Sequence, residues 1–287
     1  MSRRGGMLEW VLLLAAGLCF TLGFAGRGGR VEVDPAQRAP ASLRVVTWNV
    51  GHELDEGAPA LRMEDEAAVV ATLRALDPDL VVLQEVADVE QAERLASALG
   101  EGWQRAASSV GAGRHVVILA RAASVRRARL RGVGGRAVAA AVTLARPGLP
   151  ASGLVVAGVH ASAFSAGERN GLLGDVRQQL DALAGDHPRI LAGDLNIDLD
   201  PNARRDLLSG DAYLDVQTYN AVLGATDSHA GLFDAAAHAG PTAEPDRRLD
   251  YLLVDPGLAV EQAGPVRGHR APGMDHDPVL ADLRVTR

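Results

Sequence analysis

From Leu43 onward the chain switches repeatedly between two hydrophobic patterns. LRVVTWNV (43–50) and LVVLQEV (80–86) are continuous apolar runs of strand length, as expected for strands buried on both faces. Between them, MEDEAAVVATLRAL (63–76) predicts a helix with Glu64, Asp65 and Glu66 in its first turn, where the helix dipole favours acids. Asp77-Pro78 stops it. DVEQAERLASALG (88–100) predicts a second helix, with Asp88 as N-cap and Gly100 past the end. Residues 114–160 then supply four strand runs: RHVVILA (114–120), RARLRG (127–132), RAVAAAVTLA (136–145) and GLVVAGVH (153–160). A helix at 175–185, a strand at 189–193, helices near 202–209 and 216–223, and closing strands at 247–254 and 278–285 follow. Many strands flanked by helices, with hairpin-like pairs in the middle, predict an α/β fold in which two sheets pack together between helical layers.

The first 42 residues obey neither pattern. Arg3 and Arg4 precede WVLLLAAGLCFTLGFA (10–25), an uncharged apolar run. A basic start followed by such a run reads as an export signal or a short membrane anchor, and both readings of residues 1–25 stay open. Gly23-Phe24-Ala25 offers a cleavage site for the first reading. Residues 26–42, rich in Gly, Pro and Arg, read as a linker to a domain at 43–287. The protein is therefore expected to be periplasmic, secreted or held at a membrane by its N-terminal segment.

Composition narrows the chemistry. The single cysteine, Cys19, lies in the apolar segment, so the domain has no disulfide, thiolate metal site or cysteine nucleophile. All 29 basic residues are Arg, and the net charge is −7. Residues 1–30 carry a net +3, which leaves −10 on the remainder and argues against broad capture of a long polyanion. GVGGRA (132–137) fits a loose dinucleotide fingerprint but lies between two strand runs, without the helix that motif needs.

The polar residues form a series at the strand ends. The first strand exits at Asn49, the second at Glu85, the 153–160 strand at His160, and the 189–193 strand at Asp194 and Asn196. Asp250 lies within RLDY, and Asp275 and His276 lie within MDHDPV just before the last strand. Each alone has an ordinary structural reading as a turn residue, a cap or a hydrogen-bonded core group. Together they put carboxylates, carboxamides and two imidazoles where several strand ends converge, the usual ligand position in α/β folds. Oxygen ligands from Glu85, Asp275 and Asn49 suit Mg²⁺ or Mn²⁺. Asp194 could orient or deprotonate an attacking water, and Asn196 could hold that water and a phosphate oxygen. Asp250 paired with His276 would hold the imidazole charged and in one orientation.

TWN, LQEV, VH, GDLN, RLDYLL and DHDPV, in this order, resemble the endonuclease/exonuclease/phosphatase superfamily. The resemblance runs from about Leu43 to the C-terminus. It implies the DNase I-like four-layer α/β sandwich, two mixed β-sheets packed together with helices outside. It also implies Glu85 as principal metal ligand with Asn49 and Asp275 nearby, Asp194 and Asn196 acting on water and phosphate, His160 and His276 on the scissile phosphate, and Asp250 behind His276. Ala161 after the first histidine and Met274 before the last Asp-His depart from the common pattern without removing a chemical group. The expectation is an exported, divalent-metal-dependent phosphoester hydrolase, acting as a monomer by water attack on a phosphate ester. A phospholipid or small phosphodiester is favoured as substrate. The alternatives are an exported DNA or RNA endonuclease and, less favoured, a non-catalytic binding module on the same fold. Substrate choice is expected in loops such as 161–174 and 200–230.

Overall fold

The structure is a computed structural model, described here for residues 33–38, 41–52, 60–109, 114–144, 153–199 and 212–286. Residues 1–32, the expected signal or anchor among them, and the helix expected near 202–209 lie outside the described residues. The order is β1 (Leu43–Asn49), α1 (Glu66–Leu76), β2 (Leu80–Val86), α2 (Val89–Leu99), β3 (Trp103–Ser108), β4 (His115–Ala128), β5 (Ala137–Leu144), β6 (Leu154–His160), α3 (Ala166–Ala184), β7 (Arg189–Asp194), α4 (Ala212–Leu223), β8 (Phe233–Asp234), β9 (Asp250–Val254), β10 (Leu258–Pro265) and β11 (Val279–Val285). A short 3-10 turn, Met63–Asp65, precedes α1.

The strands form two mixed sheets that share β4. One runs β10-β11-β1-β2-β4, with β3 on the far side of β4, and the other runs β4-β5-β6-β7-β9-β8. Within the first, β1 and β2 are parallel; within the second, β6 and β7 are parallel. β4 pairs with β2 through residues 115–120 and with β5 through 122–128, so one strand curls the two sheets into a continuous surface. Three apolar clusters fill the spaces between four layers. Val45, Val82, Ile118, Val156 and Leu252 lie between the sheets. Trp48, Val69, Leu73 and Leu95 join the first sheet to α1 and α2, and Leu173, Val176, Leu180 and Tyr251 join the second to α3. This is the four-layer sandwich expected from the strand and helix pattern.

The helix ends follow their sequence signals. Asp88 accepts the Gln91 amide at 2.6 Å and caps α2. α1 ends on Asp77 in the left-handed region, whose amide returns to the carbonyls of Leu73 and Arg74.

Several elements differ from expectation. α3 begins at Ala166, not Asp175. Gly167, Gly171 and Gly174 weaken the helical pattern of its first half, and contacts compensate: Ser165 caps it, and buried Arg169 pairs with Asp215 at 2.8 Å. No separate strand forms at 127–132. β4 continues to Ala128, and residues 129–136 form the loop to β5, with Gly132, Gly134 and Gly135 at positive φ. The edge strands β3 and β10 form where the sequence pattern predicts none, because their mixed polarity carries little period.

Residues 33–38, within the expected linker, dock on the domain. Arg44 donates to the Pro35 carbonyl, and Gln262 donates to that of Asp34. This strap lies at the N-terminal end of β1, opposite Asn49.

Gly193, just before the strand end, has φ of 145°, and a Cβ there would stand 1.9 Å from the Val159 carbonyl oxygen. The obstacle is the backbone of β6, so no rotamer relieves it. Gly193→Ala should cost about 3 kcal/mol or more, a fall in Tm of about 6–12 °C. Thermal unfolding followed by circular dichroism checks this; a Tm within about 2 °C of wild type contradicts it.

Candidate active site

The two parallel strand pairs, one from each sheet, bring their carboxyl ends together. Asn49 and Glu85 come from β1 and β2; His160 and Asp194 come from β6 and β7 and sit opposite each other in register. β9 runs antiparallel to β7, so its first residue, Asp250, lies beside Asp194. Asp275 and His276 enter on the segment before β11. All eight residues singled out in the sequence are therefore gathered at one end of the sandwich.

Their contacts form a chain. The Asn49 amide nitrogen reaches Glu85 Oε1 at 3.3 Å and Asp194 Oδ2 at 3.2 Å, while its oxygen accepts the Gly51 amide. His160 Nε2 lies 3.4 Å from Glu85 Oε1 and 3.8 Å from Asp194 Oδ2. Asp194 Oδ1 accepts the Asn196 amide at 2.9 Å, and the Asn196 side chain donates to the Ala161 carbonyl at 3.1 Å. His276 Nδ1 and Asp250 Oδ2 are 2.8 Å apart, and His276 Nε2 points toward Asp194 Oδ2 and Asp275 Oδ1, each at 3.9 Å. Glu85 and Asn196 both adopt positive φ, 61° and 50°, which marks local backbone strain. At Glu85 it coincides with a bulge in the β2–β4 register.

Two supporting residues lie outside that set of eight. Thr242 donates its hydroxyl to Asp250 Oδ2 at 2.7 Å and accepts the amides of Leu249 and Asp250, which locks the aspartate that faces His276. Trp48 Nε1 donates to the His276 carbonyl at 3.0 Å and ties its segment to β1.

The electrostatics follow from burial and neighbours. Burial pushes the Glu85 carboxyl above its ordinary range, with Arg114, Asn49 and His276 pulling the other way. Burial also raises Asp194, against the attraction of the His276 charge. His160 is pushed down to about 3, first by burial and then by the positive fields of Arg136, His276 and Arg114, so it is a neutral imidazole. Burial opposes charge on His276 as well, but Asp250, by charge and hydrogen bond, outweighs it with Asp194 and Asp275, and His276 rises to about 10. One imidazole is thus held neutral and the other positive.

A buried carboxylate oxygen without a partner is costly. Glu85 Oε2 and Asp250 Oδ1 are both in that state. Atoms of Asp194, Asp250 and His276 lie within 4.8 Å of one another, a possible Asp/His metal site. Glu85 Oε1 faces nitrogens of Asn49, His160 and Arg114, so the open Oε2, an oxygen that fits a hard divalent cation, is the ligand atom this residue offers.

The model of the Endonuclease/Exonuclease/phosphatase family matches residues 46–272, most of the chain. The chain belongs to the endonuclease/exonuclease/phosphatase family. Members of this family are typically phosphoester hydrolases and are generally dependent on a divalent metal. An endonuclease/exonuclease/phosphatase from Beutenbergia cavernae superposes with a TM-score of 0.60 at 26% identity, over 85% of this chain and 72% of that one. The human Nocturnin catalytic domain with bound sulfate matches with a TM-score of 0.61 at 18% identity, over 87% and 97%. A mannosyl-6-phosphatase from Bacteroides thetaiotaomicron matches with 0.59 at 17%, over 84% and 99%. No curated protein sequence matches this chain.

Proposed function

We propose that this endonuclease/exonuclease/phosphatase protein is a divalent-metal-dependent phosphodiesterase that uses Mg²⁺ or Mn²⁺ and acts on small phosphodiesters. One observation carries the reading: an unpartnered, buried Glu85 oxygen within a convergent set of acids, amides and one charged imidazole. Glu85, Asn49 and Asp275 would hold the ion. Its charge would neutralise a phosphate oxygen and the departing alkoxide. Asp194, beside the Asn49 amide, takes a proton from the attacking water. Asn196 and neutral His160 donate to phosphate oxygens. The His276 imidazolium, held by Asp250, offsets the negative charge that grows as the water oxygen bonds phosphorus and the ester bond breaks. Asp250 holds His276 as an imidazolium, both of whose nitrogens carry protons and have no lone pair for a metal, which favours the Glu85 side of the centre over the Asp194–Asp250–His276 trio for the ion.

The site's position bears on substrate. The strap 33–38 attaches at Arg44, the end of β1 opposite Asn49. A chain exported and then tethered through residues 10–25 would present its site away from the tethering bilayer. Small soluble diesters are thus favoured over lipids of that bilayer, and the acidic domain disfavours long nucleic acids.

The test is a panel of plasmid DNA, RNA, sphingomyelin, phosphoinositides and small diesters, offered to the full chain with Mg²⁺, with Mn²⁺ and with excess chelator at two ionic strengths. Turnover should vanish in chelator. Efficient plasmid nicking with a steep salt slope and no action on small esters would make the protein a nuclease instead. Glu85→Gln should weaken metal affinity at least tenfold, about the effect of losing a ligand, while substrate affinity changes less. The wild-type metal affinity should rise with pH, because Glu85 and Asp194, both held above their ordinary values, must lose protons to ligate or neighbour the ion. Calorimetric metal titration reads both effects; an unchanged affinity in Glu85→Gln moves the ion elsewhere.

A further inference from the structure

Two arginines edge the otherwise acidic centre, one from each sheet, and the sandwich places them in equivalent positions. Arg114 immediately precedes β4, whose His115 pairs with Val86 at the end of β2. Arg136 immediately precedes β5, whose Ala137 pairs with Val159 near the end of β6. Continued antiparallel pairing sets Arg136 opposite His160, while Arg114, one step beyond the His115–Val86 pair, reaches Glu85 across the β2 bulge. The distances agree: Arg114 Nη1 lies 3.8 Å from Glu85 Oε1, and the His160 amide donates to the Arg136 carbonyl at 2.9 Å. Both guanidinium groups act electrostatically on His160.

Neither group is committed elsewhere among the described residues. Arg114, one-third exposed, has only the long approach to Glu85, and the Arg136 guanidinium is exposed with no ion pair. Arg44, Arg169 and Arg189, by contrast, are buried against carboxylates. The scissile phosphate has the metal ligands and His276 to receive its charge. A second anion beside it would meet repulsion from Glu85 and Asp275 unless these two cations received it. A guanidinium offers the planar fork that grips phosphate oxygens in pairs.

We infer that Arg114 and Arg136 form an accessory anion subsite, and that the preferred substrates are phosphate esters carrying a second phosphate group beside the scissile one. The inference rests on the phosphoester-hydrolase reading of the site and deepens it. It ranks diesters with a cationic or neutral head group below doubly phosphorylated ones.

The test uses the full chain as wild type, Arg114→Gln, Arg136→Gln, the double variant and Arg136→Lys. Two ligands, methylphosphonate and methylenediphosphonate, are titrated calorimetrically in Mg²⁺. Two substrates, thymidine 5′-(4-nitrophenyl phosphate) with and without a 3′-phosphate, are assayed for kcat and KM. In wild type the second anionic group should improve Kd and KM about tenfold, the scale of a charge-assisted contact pair. In the double variant the gain should fall below about threefold, with Arg136→Lys between the two. Raising the ionic strength should shrink the wild-type gain, since both cations face solvent. The double variant keeps every acid of the centre, so any advantage that comes from diphosphonate chelating Mg²⁺ persists in it. Equal affinity for one- and two-phosphate ligands in wild type, or a gain that survives in the double variant, overturns the subsite. Arg-dependent diphosphonate binding without turnover of either ester upholds the subsite and fails the hydrolase reading.

Discussion

Asp194→Asn and His276→Ala should each lower kcat by about a hundredfold or more, the scale of losing a general base or a charge-stabilising donor. Asp194 is held against the Asn49 amide and carries the Asn196 amide on its second oxygen, so Asn at this position keeps the shape and the backbone contact. What it loses is the capacity to take a proton from water, together with the hydrogen bond that Asn49 donates to Oδ2. Burial already disfavours the charged form of Asp194, so the neutral replacement should leave the metal-free Tm unchanged or raise it. A large loss of rate at undiminished stability is the signature of a chemical role and separates it from a structural one. His276→Ala is harsher, because it strands Asp250 as a buried charge. His276→Gln retains a donor toward Asp250 and serves as the folded comparison; it should be nearly as slow. A folded Asp194→Asn or His276→Gln enzyme near the wild-type rate would remove that residue from the mechanism.

The parts of the site that could be read from sequence share a physical cause. A buried strand must shed its apolar character where it surfaces, so Asn49, Glu85, His160 and Asp194 stand out at the ends of nearly unbroken apolar runs. Because the two parallel pairs end on the same side, the four residues meet without any long-range information beyond the layer order. Asp250 and His276 are visible as polar interruptions near strands, but their 2.8 Å contact depends on β9 running back beside β7. Thr242 is invisible in the sequence: its segment has no period, and its role comes from a chain reversal that returns eight residues later to Asp250. Arg114 and Arg136 do not stand out among 29 arginines until the fold brings one near Glu85 across the β2 bulge and the β5–β6 register sets the other opposite His160. The same limit applies to the fold. β4 reads as one strand plus a second short one, because its half beyond Ala122 is mostly solvent-facing and carries Arg126 and Arg127 near its end. Its passage between sheets is a tertiary event. The first half of α3 is glycine-rich and is helical because Arg169 and Ser165 hold it, not through propensity.

Asp250→Asn should move the alkaline limit of catalysis rather than abolish the site. In the wild type, burial works against the His276 charge, yet Asp250 and its acidic neighbours raise the group to about 10, so the imidazolium persists through neutral pH. With Asn at position 250 the carboxamide oxygen can still accept from His276 Nδ1 and Thr242, but the balancing charge is gone and burial dominates. The His276 pKa should then fall to its ordinary 6.5 or lower, and at pH 8 only about 3% of the enzyme would carry the charge. The variant should therefore lose about thirtyfold or more in kcat/KM at pH 8, and the alkaline limb of its profile should shift down by several pH units. Stability gives an independent reading. A group raised from 6.5 in the unfolded chain to about 10 in the folded one contributes stability that is complete below pH 6.5 and is lost as pH rises through 10. The chelator-treated wild type should thus lose Tm over that window, and Asp250→Asn should lack this part of the slope. Thr242→Val, which removes the hydroxyl from Asp250 but keeps its charge, should lower the rate while leaving the limb within about one pH unit of wild type. Parallel pH–rate and pH–Tm profiles on the three proteins decide the matter. An Asp250→Asn profile that falls at the same pH as the wild type would show that His276 does not act as a cation.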